Sequence, residues 1–418
     1  MCAKVVESGG ERARRALAWI VVALLGLLVA GIVYLHPTLS APAERSVPRP
    51  AASQQVAGPF FFNVSFGDAE HGVLQVFSQL NPPNRPPSIY VTSDGGRTWR
   101  PLAKFTRPLA AVTFVDRQRM LAEEFGRVAP SLLTSDDGGL TWQPLAADPR
   151  QFPIRGLWPV LLGSDGWWLD WQPLAPGRQP SSPARMWRTS DGGKTWTLLA
   201  ASGISQIGSG GQLRFVDMRH GALAVTLAGT ERLPVVMATE NGGESWQMTA
   251  TFDTPLAGTR PFGILLLKHG ARLLAWLTVS SWDFQTTGPP PGEWTVMSTF
   301  ASVSDDGGAT WGPLRPGPVT TAWHSTPAMD DRTGRLLLLD GRRLWISEDD
   351  GTTWAAHVAA IPAGLVPSFI AAAVPGSVYA VAVRSRDVPG PGNAPAALLR
   401  SSDGGSHWTE VQLPRLSI

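Results

Sequence analysis

The residues of this chain predict an all-β fold: a seven-bladed β-propeller of four-stranded blades, preceded by one N-terminal transmembrane helix. Three observations carry that reading. An eight-residue box ending in tryptophan is written seven times, a shorter motif precedes some of the boxes, and a long uncharged stretch lies near the start of the 418-residue chain. A unit repeated at a spacing of about 40 to 65 residues is one supersecondary element copied around an axis, and it decides the fold before any other feature.

The chain opens with a short polar segment, residues 1–16, holding Lys4, Arg12, Arg14 and Arg15. Leu17–Leu35 follows without a charge and approaches the length of one bilayer crossing. Basic residues before such a span place the N-terminus in the cytoplasm and the remainder outside. A cleaved signal peptide is the rival reading, because Ala41-Pro42-Ala43 resembles a cleavage site. Residues 36–58 are rich in Pro, Ala and Ser and read as a tether. The propeller then occupies 59–418.

The boxes run Thr92–Trp99, Ser135–Trp142, Thr189–Trp196, Thr239–Trp246, Ser304–Trp311, Ser347–Trp354 and Ser401–Trp408. Their third position is Asp94, Asp137, Asp191, Asn241, Asp306, Asp349 and Asp403; their last is Trp99, Trp142, Trp196, Trp246, Trp311, Trp354 and Trp408. An acceptor side chain followed by glycine is turn chemistry, since the carboxylate takes nearby N–H groups and glycine supplies positive φ. The closing Trp then turns a large apolar face inward. Short extended runs flank each box, for example Ser88–Val91 before the first, so the box is the tip of a hairpin. The companion motif reads FGDAEHG at Phe66–Gly72 and FVDMRHG at Phe215–Gly221, with a degraded copy at Phe114–Met120. It is the turn of the preceding hairpin, and two hairpins make one blade. Residues 59–103 supply the first blade and 368–413 the last, with no sign that one terminus completes the other's sheet. Ring closure removes exposed sheet edges.

The box resembles the Asp-box (BNR) repeat of sialidases, sortilin-type receptors and the photosystem II stability/assembly-factor family. Its pairing with F-x-D-x-x-H-G looks most like the last of these. That resemblance covers about 58–413, implies seven blades, and implies binding of a membrane protein or its precursor through one ring face. Fold and chemistry remain separate questions. A sialidase needs three arginines, a tyrosine nucleophile paired with a glutamate, and an acid/base aspartate. Tyr379 is the one plausible nucleophile here, with Arg155, Arg384 and Arg386 as its carboxylate ligands, and no Glu pairs with it.

Binding residues are expected on the face away from the boxes, where the chain inserts Gln79–Ser88, Gln172–Ala184, Ser281–Trp294 and Ser385–Ala396. Trp167, Trp168, Trp171, Trp282 and Trp294 are the candidates for an exposed aromatic surface there, joined by Arg155 and Arg185 for polar contacts. Removing the four basic and two acidic residues of the first 35 positions from totals of 35 and 33 leaves the exported part formally neutral, which argues against nucleic acid or an anionic membrane surface as a partner. The boxes lack calcium-loop spacing, and the single cysteine, Cys2, permits no disulfide. No metal or cofactor is expected. The chain thus reads as a membrane-anchored, extracytoplasmic, non-catalytic module that binds another membrane or exported protein. An exported sialidase-like hydrolase, or a propeller that binds glycan without hydrolysis, is the alternative.

Overall fold

A computed structural model describes residues 59–78, 88–102, 109–124, 131–145, 159–170, 184–205, 207–227, 234–252, 261–280, 297–320, 326–330, 333–374, 376–384 and 396–413. These form seven antiparallel sheets of four consecutive strands each. Blade one runs Pro59–Phe66, Gly72–Ser78, Ser88–Thr92 and Arg100–Pro101, and blade seven runs Leu365–Val374, Ser377–Arg384, Ala396–Ser401 and Thr409–Glu410. Among the described residues no strand is exchanged between the termini. Blade seven's first strand nevertheless lies against blade one's, so the seven sheets make a closed propeller. Alternating strand direction puts the turns after strands one and three on one face. The boxes and their companion turns are these turns.

Each box is a closed hydrogen-bond cycle. In the first, the Thr92 hydroxyl donates to Asp94 Oδ1 (2.8 Å) while accepting from the Gly96 N–H (2.8 Å). Asp94 also accepts from the Thr98 N–H (2.9 Å) and hydroxyl (2.6 Å). The cycle recurs with Asn241, whose Nδ2 donates to the Ser245 hydroxyl, and with His407 replacing the threonine opposite Asp403. Gly96 has φ +73°, and a Cβ there would collide with the Tyr379 hydroxyl. The fourth box position is glycine in six copies; in the sixth it is Asp350, which holds φ 53° and spends its carboxylate on Arg272 of the preceding blade.

That last contact belongs to a general rule. The box presents acceptors to the blade before it, and each seam supplies a different donor. Blade one gives Arg100 to Gly138 O, and blade two gives Arg119 to Asp191 O. Blade three gives the Trp167 indole to Gly242 O (2.7 Å), and blade four the Thr249 hydroxyl to Gly308 O (2.7 Å). Blade five gives Arg272 to Asp350, and the link after blade six gives the Ala360 N–H to Ser406 O (2.8 Å). Blade seven closes the ring with the Tyr379 hydroxyl on Gly95 O (2.7 Å). The first box glycine also ties back to its own blade, as in Gly95 N–H to Glu70 O and Gly242 N–H to Arg219 O.

The companion motif proves to be a socket. Its Phe ring covers its final glycine, where a Cβ on Gly72 or Gly221 would meet Phe66 or Phe215. Phe66 and Trp99 flank Tyr379 at ring-centroid distances of 5.2 and 6.3 Å. Phe215 stacks on Trp167 at 3.7 Å and meets Trp246 edge-on. The two full copies therefore sit at the two seams where an aromatic of the preceding blade enters a Phe–Trp pair. Register confirms the equivalence, since Tyr379 and Trp167 each directly follow the residue paired with the box's opening Ser or Thr. In the degraded copy Arg119 stands where His71 and His220 stand, and it spans two boxes through Asp136 and Asp191. His71 and His220 instead cap their own turns on Asp68 and Asp217.

Two expectations fail here for one reason. Tyr379 is fully buried with its hydroxyl spent on a backbone carbonyl, and burial raises its pKa, so it is no nucleophile. Trp167 is fully buried as the same kind of plug, and Trp168 is buried against Trp187 and Trp196 in the preceding seam. Replacing Asp191 by Ala removes several hydrogen bonds and is expected to cost about 2 kcal/mol in urea unfolding. Asp191→Asn is expected to lose less than half of that, because Asn241 completes the same cycle. Equal losses for the two variants would contradict this account of the box.

Candidate functional site

The face away from the boxes carries the ends of the second strands and the starts of the third. In blade six these are joined by Gly341 and Arg342 alone, whereas in blades one, three, five and seven the joining stretches are 79–87, 171–184, 281–296 and 385–395. The four inserted segments fall almost wholly outside the described residues. So do Arg155, Arg386, Trp171, Trp282 and Trp294. The inner strands lose register near their starts, at Pro59/Phe61, Leu109/Ala111, Ile207/Ser209, Pro261/Gly263 and Pro367/Phe369. Such bulges re-aim side chains, and here they collect at the loop-side mouth of the ring.

Blade three places one charged pair on this face. Asp170 ends the second strand, Arg185 begins the third, and they are directly opposite in register. Arg185 Nη2 and Nε donate to the same oxygen, Asp170 Oδ2, at 2.8 and 3.0 Å. The other oxygen, Oδ1, is buried with no hydrogen-bond partner among the described residues. Asp170 is 3% exposed, and burial pushes its pKa up to about 6 despite the opposing pull of Arg185. The guanidinium also lies over Trp187, 5.7 Å from the ring centroid. Arg185 is thus held in a fixed orientation with its side chain partly in solvent. Asp170 escaped the sequence reading because its pairing depends on strand register, which composition does not display.

The remaining candidates are dispersed. Arg384 pairs with Glu410 of the outermost strand of its own blade, two strands away, and so turns from the axis. Of the three arginines expected around Tyr379, Arg384 is thus engaged elsewhere, and Arg155 and Arg386 lie outside the described residues. No group of three or more His, Cys, Asp or Glu among them is placed to hold a metal ion. No helix among them is long and apolar enough to cross a membrane; the helix expected at 17–35 lies outside them.

Fold and repeated box define the class: a seven-bladed β-propeller whose blades are joined through their box turns. No family model matches the chain, and no curated protein does. Comparison with solved structures finds resemblances at low identity and with TM-scores below 0.5. One is YCF48 bound to a D1 peptide, with 17% identity and a TM-score of 0.46 over 83% of this chain and 95% of that one. A family PL25 ulvan lyase gives 14% and 0.46 over 71% and 80%. The α-L-arabinofuranosidase of Fusarium graminearum gives 12% and 0.40 over 70% and 91%.

The carboxylates of the two faces respond oppositely to acid. Asp191 and Asp217 are partly desolvated but held at about 2 by the hydrogen bonds they accept, and Asp137 and Asp403 are held at about 2 by theirs. Their contribution is present above the ordinary carboxylate pKa and is lost as pH falls through about 2. Asp170, raised to about 6, is destabilising when charged, so its cost grows from pH 4 to 6 and then stays constant. Asp170→Asn is therefore expected to raise the urea midpoint at pH 7 and leave it little changed at pH 4. A gain equal at both pH values would show that the carboxylate is not strained in the fold.

Proposed function

We propose that the chain is a membrane-anchored, extracytoplasmic β-propeller that acts as a non-catalytic protein-binding or assembly module. The observation that carries this reading is the division of labour between the two faces. The box face is committed to fixed turns and to the bonds that join blades, leaving it little freedom to evolve a ligand site. The opposite face carries the long connections, the bulged inner strands and the fixed, half-satisfied Asp170–Arg185 pair, on a rigid scaffold. The similarity of the box and its companion turn to the assembly-factor family agrees with a protein partner. The sialidase alternative loses its nucleophile with the burial of Tyr379.

Two experiments test the proposal. A photo-crosslinking residue at Arg185 in living cells is expected to trap a discrete partner, while one at Leu140, exposed on the box face, traps none. Equal trapping at both positions would refute the assignment of the face. Cys2 is the chain's single cysteine and reports topology directly. A membrane-impermeant thiol reagent should label it only after the cells are permeabilised; labelling in intact cells would place the N-terminus outside.

A further inference from the structure

The link between blades six and seven has an unusual composition for a surface segment. From Val358 to Val366 it reads VAAIPAGLV, with no charged or polar side chain. Its Ile361 and Leu365 are buried and tie it to the core of both blades, and Ala359 is buried beneath the Arg342 hairpin. The rest faces solvent: Val358 is 85% exposed, Val366 is 45% exposed, and Ala360, Ala363 and Gly364 are exposed between them. Arg342, which donates to Ile361 O, and Arg343 border the segment, both exposed. Val319, 55% exposed after the outer strand of blade five, adds a third valine on the loop side of these blades. Isolated exposed apolar residues need no explanation, but a continuous apolar segment edged by cations is the chemistry of an interfacial contact.

Where the N-terminal chain enters says what that contact meets. The first strand of blade one begins at Pro59 on the loop side, and it lies directly against the strand of blade seven that carries Val366. The chain arriving from the uncharged segment 17–35 therefore reaches the ring beside this patch. At about 3 Å per residue, the tether 36–58 is long enough to permit any orientation. The orientation then falls to surface chemistry, and among the described residues the apolar link is the segment that gains by leaving water.

We propose that residues 358–366 rest on the bilayer interface that holds the chain's own N-terminal segment, with Arg342 and Arg343 at headgroup level. This turns the loop face toward the membrane and favours partners whose binding segments lie close to it. The inference rests on the membrane-anchored reading above.

The test uses the full chain with Cys2→Ser, carrying a single fluorophore on Val358→Cys, Val366→Cys or the box-face control Leu140→Cys. Each is reconstituted into phosphatidylcholine vesicles with and without brominated acyl chains. Quenching at 358 and 366 is expected to exceed that at 140 at least threefold. Equal quenching at the three sites in a chain that floats with the vesicles overturns the docking and leaves the anchor intact. A chain that fails to float overturns both. Shielding of 358 and 366 from aqueous iodide in native membranes, without quenching by bromolipid, would assign the patch to a protein and also overturn the proposal.

Discussion

The structure depends on the backbone carbonyls that the box turns present to the preceding blade. A buried carbonyl left without a donor costs about 1–3 kcal/mol, so the six seams joined through a box carbonyl each need a donor, while the seam between blades five and six is joined through the Asp350 carboxylate. The chain supplies them with whatever the local sequence offers: arginine, indole, threonine hydroxyl, a backbone N–H, and at the closing seam a phenol. The internal cycle of the box fixes the turn, while the carbonyl that meets the preceding blade differs from copy to copy: Gly95, Gly138 and Gly242 at the fourth position, Asp191 at the third, Gly308 at the fifth and Ser406 at the sixth. The donor varies because only its reach and its hydrogen matter. A propeller without strand exchange between its termini is thereby closed by side chains.

This explains why residues with catalytic or binding character turn out to be structural. A tyrosine flanked by aromatics and opposite an arginine strand neighbour has the composition of a nucleophile's setting. Its position in the blade, shared with Trp167, shows that it is one of two plugs held in Phe–Trp sockets. The plugs divide the ring into arcs of three and four blades. Burial deprives both of the solvent access that catalysis or partner binding requires.

Much of this was legible in the residues. The box spacing gave the blade count, the flanking apolar runs gave the strands, and the absence of an orphan strand at either end anticipated a ring closed without exchange. The companion motif was recognised as a turn, but its second role was not, because a socket exists only when a neighbouring blade fills it. Trp167 and Trp168, adjacent in the chain, read as candidates for an exposed aromatic surface. They are buried because the two faces of a blade both pack against other blades, so alternation in a second strand sorts residues between two seams rather than between core and water. Arg119 looked like decay of a motif and is a clasp across two boxes. Asp170 could be found only through the register that sets it opposite Arg185.

Native-state hydrogen exchange on the Tyr379→Phe variant tests the central claim most directly. If the phenol closes the ring, amides of Pro59–Phe66 and Leu365–Val374 exchange at least tenfold faster than in the parent chain. Those of Ile207–Phe215, at the seam held by Trp167, keep their protection. Unchanged exchange at the seam between blades seven and one would mean that closure does not depend on the hydroxyl, and the account of the box as a joint would be wrong.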